Sequence, residues 1–143
     1  MFMSEYNHTI DAKGRLIIPA KFRETLGDEF VVSKGMDGCL YVYANDGWNE
    51  FEQKLTSLPL TDKAARQFAR FFLAGAASVE VDKQGRILLP ANLREFAKLD
   101  KDVVLVGVGS RIEIWSKDQY DTVSDDVDMD SITQAMKELG LTI

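Results

Sequence analysis

Two short motifs in the chain place an arginine four residues after an aspartate, with a glycine directly before the arginine. The motif residues are Asp11, Gly14 and Arg15 in the first copy and Asp82, Gly85 and Arg86 in the second. An aspartate side chain can accept backbone N–H bonds and glycine tolerates a positive φ, so each motif predicts a turn. A guanidinium beside such a turn can bind a phosphate, or the O6 and N7 acceptors of guanine.

Basic residues in and after these motifs are the candidates for contact with nucleic acid. The predicted DNA-binding residues are Arg15, Arg86, Lys13, Lys83, Lys21, Arg23 and Arg94, and the predicted turn-organising residues are Asp11, Gly14, Asp82 and Gly85. A structural alternative stays open, in which each motif arginine pairs with its own aspartate and fixes the loop. Both roles can hold together. Arg23 and Arg94 each precede a glutamate on a predicted helix, where a structural role is equally open.

The motifs belong to a longer internal repeat. Residues 11–24 and 82–95 are 71 positions apart and are identical at seven of 14 positions. After one extra residue the similarity resumes, with 31–35 aligned on 103–107 and 40–43 on 112–115. Two copies predict two half-units packed about a pseudo-twofold axis.

The residue pattern of each repeat predicts the same order of elements, namely a strand, a turn, a second strand, a proline, a helix, a hairpin and a final helix. This mixture predicts an α+β fold. The predicted strands are 6–10, 16–18, 30–34, 40–43, 78–81, 87–89, 103–108 and 112–115, and the predicted helices are 20–26, 46–58, 61–73, 91–99 and 117 to about 123. In the connecting helix, Thr61 or Asp62 is the N-cap, and Phe68, Phe71 and Phe72 form one buried stripe. The predicted organisation is a first repeat at 1–58, the connecting helix at 59–76, a second repeat at 77–124 and an acidic tail at 125–143.

The overall charge does not favour nucleic acid, but its distribution does. The 143 residues include 17 Lys and Arg against 23 Asp and Glu, a net charge of −6. An acidic chain lacks the usual basic footprint of a DNA-binding protein. However, segments 12–23 and 83–94 contain basic residues and no acid, whereas acids dominate the C-terminal end. We expect a local basic face and a mobile, solvated tail, unless Ile132, Met136 and Leu139 dock on a neighbour.

The residues of the chain fit known catalytic motifs poorly. The paired aspartates lack the Asp-Thr/Ser-Gly triplets of an aspartic-protease dyad. Cys39 and His8 are the single cysteine and histidine, a weak basis for a nucleophile and its base, and His8 suits a structural place in a strand. The Walker pattern is absent, and the acidic segment beginning at Asp126 lacks the glycine and glutamate of a calcium loop. We predict no enzyme, no cofactor, no metal and a cytoplasmic protein without a membrane segment.

The paired Asp-x-x-x-Arg motifs, each followed by apolar-Pro-Ala-x-apolar-Arg-Glu, resemble the MraZ family of bacterial transcriptional regulators. That family lies within the AbrB-like group of swapped-hairpin DNA binders, and the resemblance covers almost the whole chain. It implies two repeats that interlock their hairpins into one small β-barrel with peripheral helices. It also implies a ring-shaped homo-oligomer, associated with the nucleoid, that represses the division and cell-wall gene cluster. The ring would bind short direct repeats of double-stranded DNA in its own operon's promoter.

Two questions stay open from the residues. The second copy has Gln84 and Asn92 where the first has Lys13 and Lys21, so we expect it to contact backbone phosphate less strongly, and whether both repeats contact DNA stays open. The alternative function is an AbrB-fold protein-interaction module, similar to an antitoxin, without sequence-specific DNA binding. Neither function needs a small-molecule substrate.

Overall fold

The computed structural model describes residues 1–142 and contains eight strands and six helices in that range. They are β1 (Glu5–Thr9), β2 (Arg15–Ile17), α1 (Ala20–Leu26), β3 (Glu29–Lys34), β4 (Leu40–Ala44), α2 (Asn45–Thr56), α3 (Lys63–Ala74), β5 (Ala77–Glu80), β6 (Arg86–Leu88), α4 (Ala91–Phe96), β7 (Asp102–Gly107), β8 (Ile112–Ser116), α5 (Lys117–Asp125) and α6 (Met129–Glu138). None of these helices has both the length and the apolar character needed to cross a membrane. The α+β class and the two-repeat plan are confirmed.

The two repeats exchange strands. Six strands form an antiparallel sheet in the order β1-β7-β8-β4-β3-β5, and β2 pairs with β6 in a separate two-stranded ribbon. The first strand of each repeat therefore lies against the third strand of the other, β1 on β7 and β5 on β3. Within the described residues β1 and β5 are the two ends of the sheet and do not pair with each other, so the sheet is open. The expected closure into one barrel is not seen.

Strand register corrects the expected alignment of the repeats by one residue. Glu29 lies opposite Glu80, and Asp102 holds the equivalent place opposite Thr9. Phe30 is therefore the counterpart of Val103, where the sequence alignment placed Val31. The connection between α4 and β7 is three residues longer than that between α1 and β3, while α4 itself is one residue shorter than α1. The β7–β8 turn is one residue shorter than the β3–β4 turn, which explains why the sequences alone show a net shift of one.

The main core forms between the two repeats. Leu16 and Ile18 are buried in the first repeat, as are their counterparts Ile87 and Leu89 in the second. The middle residues of these short runs, however, face solvent, because side chains alternate along a strand. An apolar run of this kind predicts a buried strand, but 16–18 and 87–89 are buried on one side only.

A second core lies on the opposite face of the large sheet. Along β4, Leu40 and Val42 point into the main core, whereas Tyr41 and Tyr43 belong to an aromatic cluster with Phe72 of α3. The N-cap of α3 is Asp62, whose side chain accepts a hydrogen bond from the N–H of Ala65 at 2.9 Å. The predicted aromatic stripe is only partly buried. Phe72 is 5% exposed, Phe71 is half-buried and Phe68 is 48% exposed.

The acidic tail contains a helix that was not predicted. Helix α6 spans Met129–Glu138, and the Asp128 side chain caps its first turn by accepting from the N–H of Asp130 at 3.3 Å. No residue of α6 is buried. Met129 and Ile132 stand on its exposed apolar side, 67% and 38% exposed. The tail is solvated in this segment, as expected, but it is helical where no helix was predicted.

Candidate nucleic-acid interface

Both aspartate–arginine motifs fold into the same turn. In the first, Oδ1 of Asp11 accepts from the backbone N–H of Lys13 at 3.0 Å and of Arg15 at 2.9 Å. In the second, Oδ1 of Asp82 accepts from the matching N–H groups at 2.9 Å each. Gly14 and Gly85 have φ of 86° and 79°, a conformation that other residues rarely adopt. In both turns, then, the aspartate side chain binds the backbone of the turn and the glycine takes its positive-φ position.

Each motif arginine pairs with its own aspartate. The Nε of Arg15 lies 2.6 Å from Oδ2 of Asp11, and the Nε of Arg86 lies 2.8 Å from Oδ2 of Asp82. The ion pairs leave the arginine side chains 33% and 26% exposed. Within residues 1–142 the terminal nitrogens of Arg15 donate no hydrogen bond, whereas Nη2 of Arg86 donates to Gln84 Oε1 at 3.3 Å. Pinning of the loop and outward contact are therefore compatible.

Hydrogen bonds hold both aspartates ionised. The backbone N–H of Arg15, followed by its guanidinium and the N–H of Lys13, keeps the pKa of Asp11 below its ordinary value of 3.8. The backbone N–H of Arg86 and its guanidinium do the same to the pKa of Asp82. Two carboxylates in this state cannot share a proton as an acid–base dyad does.

The β2–β6 ribbon presents the two arginines on one face. Arg15 lies opposite Leu88 and Arg86 lies opposite Ile17, with the buried pair between them. Ile17 and Leu88 are 44% and 59% exposed. Because residues two apart on a strand share a face, the outer surface consists of two arginines at diagonal corners and two apolar side chains. Sequence reasoning missed Ile17 and Leu88, although strict alternation in a three-residue strand would have placed them beside Arg15 and Arg86.

Arg23 and Arg94 brace the turns instead of lying free on their helices. The Nε–H of Arg23 donates to the carbonyl oxygen of Ile18 at 3.0 Å, and that of Arg94 to Leu89 at 3.0 Å. Each guanidinium packs on the turn glycine of the other repeat. A Cβ on Gly14 would lie 2.8 Å from Cζ of Arg94, and a Cβ on Gly85 would lie 2.9 Å from Cζ of Arg23.

Backbone bonds reinforce this crossed bracing. The N–H of Leu89 donates to the carbonyl of Gly14 at 3.0 Å, and the N–H of Ile18 donates to that of Gly85 at 2.9 Å. Each turn is therefore supported by the opposite repeat. The remaining predicted lysines, Lys13, Lys83 and Lys21, are all exposed.

The alternative chemistries find no support in the geometry. Cys39 is fully buried, and burial raises the pKa of its thiol to about 12, so the nucleophilic thiolate is not available at neutral pH. His8 is half-buried in β1, opposite Val103. Across residues 1–142, no group of three or more His, Cys, Asp or Glu side chains is placed to hold a metal ion.

The fold and the paired turns define a class of protein in which two intertwined repeats present one arginine-bearing turn each. A family model described as "MraZ protein, putative antitoxin-like" matches residues 1–71 and again residues 72–141. The chain belongs to this family.

Its relatives span the same length. A protein of Lachnoclostridium phytofermentans is 59% identical over 142 residues, 99% of each chain. One of Acetivibrio thermocellus is 55% identical over 143 residues, 99% of this chain and 100% of the relative. One of Moorella thermoacetica is 64% identical over 121 residues, 85% of each chain. All three are named "Transcriptional regulator MraZ".

Proposed function

We propose that the chain is a sequence-specific, DNA-binding transcriptional regulator that acts as a repressor. The observation that supports this most directly is the β2–β6 ribbon, with Arg15 and Arg86 at diagonal corners of one exposed face. The regulator name shared by the relatives supports the same function. No catalysis and no cofactor enter this function.

The ribbon suits a DNA groove. A two-stranded β-ribbon fits the major groove of B-DNA, where arginine can bond to O6 and N7 of guanine. Ile17 and Leu88, directly opposite Arg86 and Arg15, are placed to contact thymine methyl groups. Lys13, Lys83 and Lys21 would bind phosphates and set the register. Specificity then comes from four side chains and affinity from the surrounding positive charge.

The strand exchange supports the swapped-hairpin arrangement of the AbrB-like group. Strand β1 pairs with β7 and β5 pairs with β3, so the first strand of each repeat is hydrogen-bonded to the other repeat. Neither turn is supported by its own repeat alone, because Arg94 packs on Gly14 and Arg23 packs on Gly85. We propose that the DNA-binding surface exists only when both repeats are folded together.

We further propose that copies of the chain assemble into a ring. The exposed apolar side of α6, including Met129 and Ile132, is the kind of surface that subunit contacts cover. A contact between α6 and a different surface of the next copy is head-to-tail, and such contacts generate rings when the rotation closes. A ring matches several short direct repeats in the operon's own promoter, because each weak contact raises the effective concentration of the next. The division and cell-wall gene cluster is the proposed target.

A protein-interaction function is the second candidate, and the antitoxin-like description of the matched family favours it. In that case the arginine turns would bind a protein partner. The two functions make opposite predictions for DNA, since an interaction module has no sequence preference.

The test is an anisotropy titration of the full chain against a duplex from the promoter of its own operon and a scrambled duplex. We expect tighter binding to the promoter duplex and a steep fall of affinity with salt, because phosphate contacts release counterions. The double variant R15A/R86A removes the two proposed contacts, and K54A/K63A, which removes two exposed lysines from α2 and α3, is the matched charge control. Equal weak binding to both duplexes by the unmodified chain would favour the protein-interaction function.

A further inference from the structure

The connection after α4 differs in length and charge from its counterpart after α1. Between α1 and β3 the chain needs only Gly27 and Asp28, whereas five residues, 97–101, connect α4 to β7. Lys98 takes the left-handed place of Gly27, with φ of 54° against 78°. The longer connection contains two lysines and one aspartate, while the shorter one contains a single aspartate.

Hydrogen bonding fixes Lys101 as the structural counterpart of Asp28. The N–H of Ile10, just before the first turn, donates to the carbonyl oxygen of Lys101 at 2.8 Å. The N–H of Val81, just before the second turn, donates to that of Asp28 at 2.9 Å. The same backbone position beside the two turns therefore bears opposite charges.

The first turn and the longer connection enclose a polar groove. Its volume is about 350 Å³, and its lining includes Asp11 and Ala12 of the first turn together with Arg94, Asp100 and Lys101. Lys98 lies outside this groove and lines an adjoining cavity of about 90 Å³ together with Asp100 and Lys101. Lys98 and Lys101 are exposed, and within residues 1–142 neither has a carboxylate oxygen within 4 Å of its ammonium group. Lys101 thus brings an unpaired ammonium group to the groove beside the first turn, and Lys98 adds a second one in the adjoining cavity. With two lysines against Asp100, the connection keeps a positive charge that attracts phosphate.

We infer that Lys98 and Lys101 bind DNA phosphates beside the first turn, which makes that turn the stronger of the two DNA contacts. This inference rests on the proposed DNA-binding function. It adds two contact residues that lie outside the repeated motif and come from the opposite repeat. At the second turn, Asp28 holds the position that Lys101 holds at the first, and its carboxylate repels phosphate. The second turn therefore contacts DNA without a lysine beside it.

The test compares two double variants of the full chain with the promoter duplex and the scrambled duplex. Each lysine that neutralises one phosphate contributes about 0.9 to the slope of log affinity against log salt. K98A/K101A should therefore lower the slope by about 1.8 and weaken binding roughly 30-fold at 0.15 M salt. Both duplexes should lose affinity alike, since phosphate contacts do not read sequence. K54A/K63A, which removes two exposed lysines from α2 and α3, should stay within about twofold of the unmodified chain.

A mirror variant tests the comparison between the turns. Asp28→Lys places an ammonium group beside the second turn at the position that Lys101 holds beside the first. We expect about fivefold tighter binding at 0.15 M salt, as for one added phosphate contact. Thermal melting followed by circular dichroism checks that all variants are folded.

The outcomes separate this inference from the function on which it rests. If the unmodified chain prefers the promoter duplex and K98A/K101A binds like K54A/K63A, the two lysines are not contacts and the inference is wrong. If the unmodified chain binds neither duplex, the proposed function and this inference fail together. A loss confined to the promoter duplex would also overturn the phosphate assignment, because it would indicate base contacts.

Discussion

The two repeats share a backbone plan but differ in what surrounds it. Both turns have the same aspartate bonds, the same positive-φ glycine and the same crossed arginine brace. Beside the first turn lies Lys101, and beside the second lies Asp28. The internal repeat therefore preserves the turn geometry that holds an arginine on the exposed face of the β2–β6 ribbon. The surrounding charge, which governs how strongly each turn can attract phosphate, is free to diverge.

The helices that follow the two repeats, α3 and α6, differ further. Helix α3 buries Phe72 against Tyr41 and Phe51, with ring centroids 6.4 Å and 5.1 Å apart. Helix α6 has no buried residue at all in the described chain. Helix α3 is thus part of the second core, whereas α6 leaves its apolar side available to another molecule.

The largest expected effect contrasts these two helices. Phe72→Ala should lower the free energy of unfolding by about 3–5 kcal/mol, since it removes a buried ring from the aromatic cluster. Ile132→Ala should change it by less than about 0.5 kcal/mol, because Ile132 is exposed in the single chain. Urea unfolding of each variant measures the contrast. If α6 forms the subunit contact, light scattering should also show fewer subunits per particle for Ile132→Ala and no such change for K54A.

The second-largest expected effect is the difference in DNA affinity between variants of the two motif arginines. Removing a bidentate arginine–guanine contact costs about 1–3 kcal/mol of discrimination. We expect Arg15→Ala to lose more affinity for the promoter duplex than Arg86→Ala, because Arg15 lies in the turn supported by Lys98 and Lys101. Anisotropy titration at one salt concentration measures both. Equal losses would mean that the neighbouring charge does not influence the turns, and a larger loss for Arg86→Ala would reverse the proposed order.

Much of the turn geometry could be predicted from sequence because it is local. Asp11, Gly14 and Arg15 lie within five residues, and the repeat supplies an independent second copy. The long-range features could not be predicted in this way. The crossed packing of Arg94 on Gly14 joins residues 80 positions apart through the strand exchange, and no local pattern encodes it.

The misplaced features have equally specific causes. Phe68 was expected inside, because spacing shows which side chains share a helix face but not how much of that face is covered. Helix α6 was missed because its acidic composition resembles a solvated tail, although Asp128 is a clear N-cap. The alignment at Val31 was shifted because adjacent valines hide a one-residue change that only strand pairing reveals.

A third prediction, with a smaller expected effect, concerns whether the two turns contribute equally to stability. Gly14→Ala and Gly85→Ala each place a Cβ against an arginine of the other repeat and force a left-handed residue with a side chain. The left-handed conformation alone costs about 1–2 kcal/mol. We expect the two variants to lose stability to the same extent in urea unfolding, while Gly14→Ala weakens DNA binding more. Unequal losses of stability would show that the crossed braces differ in strength.

The smallest expected effect concerns pH. Because the folded-state pKa values of Asp11 and Asp82 are lowered, their ionised forms stabilise the turns above about pH 4, the range in which an unfolded aspartate is also ionised. This stabilisation is lost as the pH falls through the lowered values. Asp11→Asn and Asp82→Asn should therefore reduce the urea midpoint equally at pH 7, and the difference from the unmodified chain should shrink at pH 3. A difference that persists unchanged at pH 3 would mean that the hydrogen bonds, and not the charges, hold the turns.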